Sequence, residues 1–151
     1  LEYYEMALEI ALETTDRQTQ GTILSNIGSS YQDLGELQTA FDYYQKSLAL
    51  RRQIGDKFGE AMVNQNISSL YQTLGDYENS LNFLNQSLEI YQKTGLRREE
   101  ALALSSIGAI FSNRGDKEKS LEFYQKALAL QKTLENKKGY LIILRNLGRG
   151  Y

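Results

Sequence analysis

Apolar residues recur along this chain at steps of three and four. In the segment FDYYQKSLAL, which begins at Phe41, they fall at Phe41, Tyr44 and Leu48, with Leu50 slightly off phase. In ILSNIGSSYQDLG, which begins at Ile23, they fall at Leu24, Ile27, Tyr31 and Leu34. Both are the period of a helix that buries one stripe and leaves the other side in water. Ala, Gln and Lys stand among the remaining positions of the first segment and favour helix by themselves. No stretch keeps the alternation of a strand for long.

Both patterns return at a spacing of 40 residues. LEYYEMALEI, FDYYQKSLAL, LNFLNQSLEI and LEFYQKALAL begin at Leu1, Phe41, Leu81 and Leu121. Between them, ILSNIGSSYQDLG, VNQNISSLYQTLG, ALSSIGAIFSNRG and ILRNLGRGY begin at Ile23, Val63, Ala103 and Ile143. Gly35, Gly75 and Gly115 close the helices of the second series, where a left-handed residue costs little. Glu36, Asp76 and Asp116 follow; the two aspartates suit an N-cap, and all three acids suit the positive end of the next helix. Gly55-Asp56 marks the other turn, with Gly95 in phase, while Glu135-Asn136 stands where the last copy would have glycine. The pattern predicts hairpins of two helices, each of about 16–18 residues. One such hairpin cannot bury its own apolar face, but stacked copies can, so one array with a continuous core is expected over 1–151. Its complete repeats are 21–60, 61–100 and 101–140. Residues 1–20 form a lone second helix and 141–151 part of a first helix.

The pattern resembles the tetratricopeptide repeat. Leu24, Ile27, Gly28 and Tyr31 match that family's first helix, and Ala40, Tyr44 and Ser47 its second. Leu104, Ile107, Gly108, Phe111, Ser120, Tyr124 and Ala127 match again in the third unit. The resemblance covers essentially the whole chain. It implies an all-α, right-handed solenoid of antiparallel hairpins. Two departures stand out. The usual period is 34 residues, and the proline common after the second helix is replaced by Arg52, Gln92 and Lys132. Long variants of this kind are similar to those in Pins/LGN-type regulators and in bacterial signalling arrays.

The resemblance also implies a function, a peptide held against the first helices. One contact position then holds Asn26, Asn66, Ser106 and Asn146. Its neighbours hold Ser25, Gln65, Ser105 and Arg145, then Ser29, Ser69, Ala109 and Arg149, then Gln32, Gln72 and Ser112. An asparagine amide donates and accepts together, which suits an extended main chain. It is also a poor helix former, so three at a regular period ask for a role. The competing reading is that these side chains are only solvated, or knit neighbouring helices. Arg145 and Arg149 make the far end basic and would suit an acidic stretch of ligand. Gly28, Gly108 and Gly148 sit inside helices, where each costs ~1 kcal/mol against Ala; close approach of a neighbouring helix is the expected compensation.

Composition narrows the choice of function. The 151 residues hold no Cys, His or Pro and no Trp. Thiolate zinc sites, cysteine nucleophiles and histidine bases are therefore excluded. No phosphate-binding glycine motif and no GxSxG elbow occurs. An enzyme is not expected, and neither is a cofactor. The net charge is −2, unsuited to nucleic acid or an anionic membrane. Residues 1–75 hold 5 Lys and Arg against 10 Asp and Glu, and residues 76–151 hold 12 against 9. The eleven tyrosines fall mostly at interior positions of the repeat, which favours core packing over base stacking. Cytoplasm is the expected compartment, although a cysteine-free chain can also be exported. The expected function is a protein–protein interaction module. The alternatives are a spacer that self-associates end to end through uncapped terminal helices, or a regulatory array within a larger signalling protein.

Overall fold

The computed structural model describes residues 2–13 and 16–149. Among these residues there are eight helices and no strand. They are α1 (Glu2–Glu13), α2 (Arg17–Asp33), α3 (Leu37–Gln53), α4 (Lys57–Thr73), α5 (Tyr77–Thr94), α6 (Arg97–Asn113), α7 (Lys117–Thr133) and α8 (Lys137–Arg149). The even-numbered helices start at a spacing of 40 residues, at Arg17, Lys57, Arg97 and Lys137. Those starts lie four residues ahead of the unit boundaries drawn from the sequence. The reason is local capping. Asp16, Asp56 and Asn136 sit immediately before these helices and accept from the backbone N–H of Thr19, Gly59 and Gly139 at 3.0, 2.9 and 3.1 Å.

The helix ends follow from backbone chemistry. At the end of α2, Glu36 N–H donates to the Tyr31 carbonyl at 2.9 Å and Gly35 N–H to the Gln32 carbonyl at 3.0 Å. That pair of bonds is the Schellman closure, which needs a left-handed residue between them; Gly35 supplies φ +80°. The end of α7 closes the same way, from Asn136 N–H to the Gln131 carbonyl at 3.0 Å. There the left-handed residue is Glu135, with φ +52°, a conformation that crowds Cβ against the carbonyl.

The chain divides into two compact units, residues 1–76 and 77–151. In the first, α2 and α3 form a tight antiparallel hairpin, α1 packs on α2, and α4 packs on α3 and along α2. Ile27, Ala40, Tyr44, Leu48, Val63 and Ile67 are buried. The hairpin closes at Gly28, where a Cβ would fall 2.8 Å from the Tyr44 ring and 3.1 Å from the Ala40 carbonyl. In the second unit α6 and α7 form the matching hairpin, with α5 against α6 and α8 against α7. Leu104, Tyr124, Ala127 and Ile143 form one buried cluster, and Leu84, Ile107 and Ile110 another. A Cβ at Gly108 would lie 3.1 Å from Tyr124. Gly148 behaves differently from the expectation, since a Cβ there would meet nothing within 4 Å.

The tyrosines at the repeat's interior positions are core residues. Tyr44, Tyr91 and Tyr124 are all but inaccessible. Burial raises the pKa of each phenol, and that of Tyr91, with the charge of Glu99 adding to it, is pushed up to about 12.

Candidate functional site

The even-numbered helices carry the polar residues singled out in the sequence. Residues 25, 29 and 32 follow one another at helical steps on α2, as 65, 69 and 72 do on α4. In the first unit the two helices bring these rows together. Asn66 Nδ2 donates to Ser25 Oγ at 3.1 Å, and Gln32 Nε2 donates to Ser69 Oγ at 3.3 Å. Gln32 also accepts from the Tyr44 hydroxyl at 3.0 Å, so the core fixes its amide. Asn26, Ser29 and Ser69 are exposed; Ser25, Gln65, Asn66, Gln32 and Gln72 are half-buried. Some of these residues therefore knit adjacent helices. An amide such as that of Asn66 nevertheless keeps a second N–H and a carbonyl for a guest.

A cavity of about 290 Å³ opens between α2 and α4, bordered by Ser25, Asn26 and Asn66 together with Gln18, Thr22, Phe58, Met62 and Val63. Phe58 and Met62 stand exposed on its rim. Its wall includes an ion pair absent from the sequence reading. The Arg51 guanidinium bonds Asp56 and donates to Thr22 Oγ1 at 2.7 Å. Arg51 is only 8% exposed, and its Nε has no hydrogen-bond partner. Two glycines admit this side chain. A Cβ at Gly59 would lie 2.7 Å from Arg51 Cδ, and one at Gly21 would lie 2.8 Å from its Nε. Arg51 has Tyr91 and Gln131 at its equivalent positions, so nothing periodic marked it. The signal available was the glycine eight residues later, which recurs between Gln131 and Gly139.

Beside this cavity Glu60 accepts from Arg52 and from Lys57, each at 2.8 Å. Burial alone would raise the pKa of its carboxyl. The hydrogen bonds from Lys57 and Arg52, with their charges, outweigh that and hold it below the usual carboxylate range.

The second unit is less open at the matching positions. Ser105 is buried, at 7% exposed. Ser106, Ser112 and Asn146 are half-buried, and Arg145 is exposed. The Arg149 side chain lies outside the described residues. A cavity of about 520 Å³ in this unit is bordered by Gln131, Lys132, Glu135, Asn136, Lys137, Tyr140 and Leu141. None of the positions picked from the sequence borders it. Among the described residues no cluster of acids could hold a metal ion, and no helix is long and apolar enough to cross a membrane.

Two family models described as tetratricopeptide repeat match, over residues 19–93 and 103–138. No curated protein matches the sequence. Solved structures do. BtubC (BKLC) from P. vanneervenii is 20% identical with a TM-score of 0.85, over 98% of this chain and 62% of its own. A signal-transduction ATPase (STAND protein) with a tetratricopeptide repeat sensor, from Pyrococcus horikoshii, is 26% identical with a TM-score of 0.85, over 95% of this chain and 22% of its own. A Rap protein solved in complex with Competence and Sporulation Factor is 17% identical with a TM-score of 0.87, over 99% of this chain and 45% of its own. The chain thus spans less than two thirds of the length of each of these three proteins.

Proposed function

Because this chain belongs to the tetratricopeptide-repeat family, whose fold serves protein–protein interaction, we propose that it holds an extended peptide segment of a partner against the first helices of its hairpins. The observation that carries the proposal is the cavity between α2 and α4. It places amide and hydroxyl groups of Ser25, Asn26 and Asn66 beside the apolar rim of Phe58 and Met62. Main-chain groups of a guest would bond the amides, and an apolar side chain would rest on the rim. The wall is electrically balanced, because Arg51 is paired with Asp56. Recognition here would therefore rest on hydrogen bonds and apolar fit rather than on net charge. Within the second unit, taken by itself, Asn146 and Arg145 would offer a guest the same kind of polar contact, Arg145 favouring an acidic stretch. The Rap protein's complex with Competence and Sporulation Factor supports ligand capture on a fold of this kind. Binding, not catalysis, is the activity we assign, with neither cofactor nor nucleic acid involved and a cytoplasmic setting.

A second reading makes the chain the sensing array of a larger signalling protein. The Pyrococcus ATPase, with its tetratricopeptide repeat sensor, favours it. Peptide capture would then be the sensing step.

Selection from a displayed library of random peptides, followed by calorimetry on synthetic copies, tests the proposal. Asn26→Ala/Asn66→Ala should weaken the selected peptides by about tenfold or more, a loss of ~1.4 kcal/mol, with an unchanged helical spectrum. Asn146→Ala tests the second unit separately. Selected peptides that bind the double variant as tightly as the parent would refute the assignment.

A further inference from the structure

The repeat supplies its own standard for how the start of a second helix is filled, and α3 departs from it. In the second unit Tyr77 begins α5 and packs, with Leu81 and Phe111, on the buried cluster of Leu84, Ile107 and Ile110. Leu37 holds the position of Tyr77 in the first unit. Beside it a cavity of about 310 Å³ remains, bordered by Leu37, Gln38 and Phe41 of α3 and by Leu70, Tyr71 and Leu74 of α4.

The walls of this cavity are apolar and partly aromatic. Phe41 and Tyr71 meet edge to face, 6.0 Å between ring centres, and Leu70 is buried behind them. Leu74 stands 55% exposed, and Leu34, at the matching end of α2, is 62% exposed. Both leucines close interior helices of the array, so their exposure is a property of the turns.

The charge around the cavity has one sign. No Lys or Arg occurs between Arg17 and Lys46, or between Lys57 and Lys93. The end of the unit where α2 and α4 stop and α3 starts therefore carries no base of its own. Asp33, Glu36 and Asp42 are exposed there. Among the described residues none of the three enters an ion pair. Glu36 stands at the N-cap of α3, yet its side chain makes no cap bond. Asp42 accepts from Gln38, a wall residue, at 3.0 Å. Two helix C-termini against one N-terminus add further negative potential.

We propose that this cavity is a docking site for an aromatic side chain of a partner protein, carried on a segment with Lys or Arg on either side of it. The ring would meet Phe41 and Tyr71 in the offset or edge-on arrangements that aromatic groups prefer. It would supply to the first unit the bulk that Tyr77 supplies to the second. The flanking bases would lie over Asp33 and Glu36, where charge complementarity favours a cationic partner. The site shares no residue with the cavity between α2 and α4, so it stands apart from the proposed peptide face.

Titration of the isotope-labelled 151-residue chain with a short peptide, Lys-Lys-Phe-Lys-Lys with blocked ends, tests this by NMR and calorimetry. Amide shifts should move around residues 33–42 and 70–75 and stay fixed around Asn26 and Asn66. Exchanging the phenylalanine for alanine should weaken binding by about tenfold or more, and exchanging the lysines for glutamates should abolish it. Binding should also weaken in ~1 M salt, where screening acts within about 3 Å. Leu37→Tyr places in the first unit the residue that the second already uses. It should weaken the peptide by about tenfold or more, with a Tm no lower than the parent's. Asp33→Asn/Glu36→Gln leaves the cavity intact and should weaken binding severalfold while flattening its salt dependence. If Leu37→Tyr does not fold, the alanine peptide and the double variant still decide. No binding at millimolar peptide, shifts centred on Asn26 and Asn66, an alanine peptide that binds as well, or variants that bind like the parent would each overturn the proposal. So would a rise in mass of the chain alone with concentration that Leu37→Tyr abolishes, since a second copy would then be the occupant.

Discussion

Asn64 should be a site where a single substitution stabilises the protein. It is fully buried, and both its amide nitrogen and its carbonyl oxygen lack a hydrogen-bond partner. The equivalent positions in the other copies are Leu24, Leu104 and Leu144; Leu104 is 5% exposed and belongs to the cluster with Tyr124 and Ala127. Burying an amide without a partner costs about 1–3 kcal/mol on the scale of protein mutations. Leucine keeps the forked shape, removes that cost and adds apolar contact. Asn64→Leu should therefore gain about 1–3 kcal/mol, and a chain of this length shifts by about 2–4 °C in Tm per kcal/mol. Asn64→Ala is the control. It relieves the same amide but leaves a void, whose cost opposes the gain, so it should fall well short of the leucine variant. Thermal melting and urea titration followed by circular dichroism would read both, with the urea slope m unchanged. A Tm for Asn64→Leu at or below the parent's would refute the reasoning, because it would mean that the amide earns its place through a bond to a partner.

Three further outcomes follow from the same geometry. Glu135→Gly should raise stability by about 1 kcal/mol, because the left-handed turn at φ +52° strains any residue with a Cβ; an unchanged urea midpoint would count against it. Gly108→Leu should cost about 1–3 kcal/mol through overpacking, since even its Cβ would stand 3.1 Å from Tyr124 and 3.3 Å from the Ser120 carbonyl; an unshifted melt would show that the α6–α7 contact is looser than described. Stability should also fall in acid. Hydrogen bonds from Thr19 hold the Asp16 carboxyl below its ordinary range, and those from Lys119 do the same for Asp116. A depressed folded pKa gives stability that is present above the unfolded value of about 4 and is lost as pH drops through the folded one. Asp16→Asn/Asp116→Asn retains capping side chains without their titration, so its Tm should decline less between neutral pH and pH ~3 than the parent's.

The helices and their turns were legible because backbone and packing requirements recur with the repeat. Gly35 and Tyr44 are fixed by a left-handed turn and by a filled notch, and both leave a periodic mark. What was not legible depends on single copies. Asn64 and Asn66 are the same residue type two positions apart on one helix. Half a turn of rotation makes one a buried orphan and the other a partner of Ser25. No spacing rule separates them without knowing which side of α4 is covered. Arg51 was missed for a related reason. Its value lies in a salt bridge to Asp56 that the other copies do not share. Gly148 was expected to sit under a neighbouring helix because its counterparts do, yet its surroundings are open. The candidate face itself was readable as a row of polar positions, but the cavity that joins three of them depends on Phe58, whose equivalents are Gln18, Arg98 and Lys138.

The Schellman closures carry a consequence for how the chain acquires its shape. Each one ties residues five apart, and within a unit the helix that follows it packs on the helix just made. Ring closures this short forfeit little entropy. Any hairpin can thus serve as the seed, and growth can run toward either terminus. Substitutions that slow the process should be scattered over the seeds rather than gathered in one nucleus.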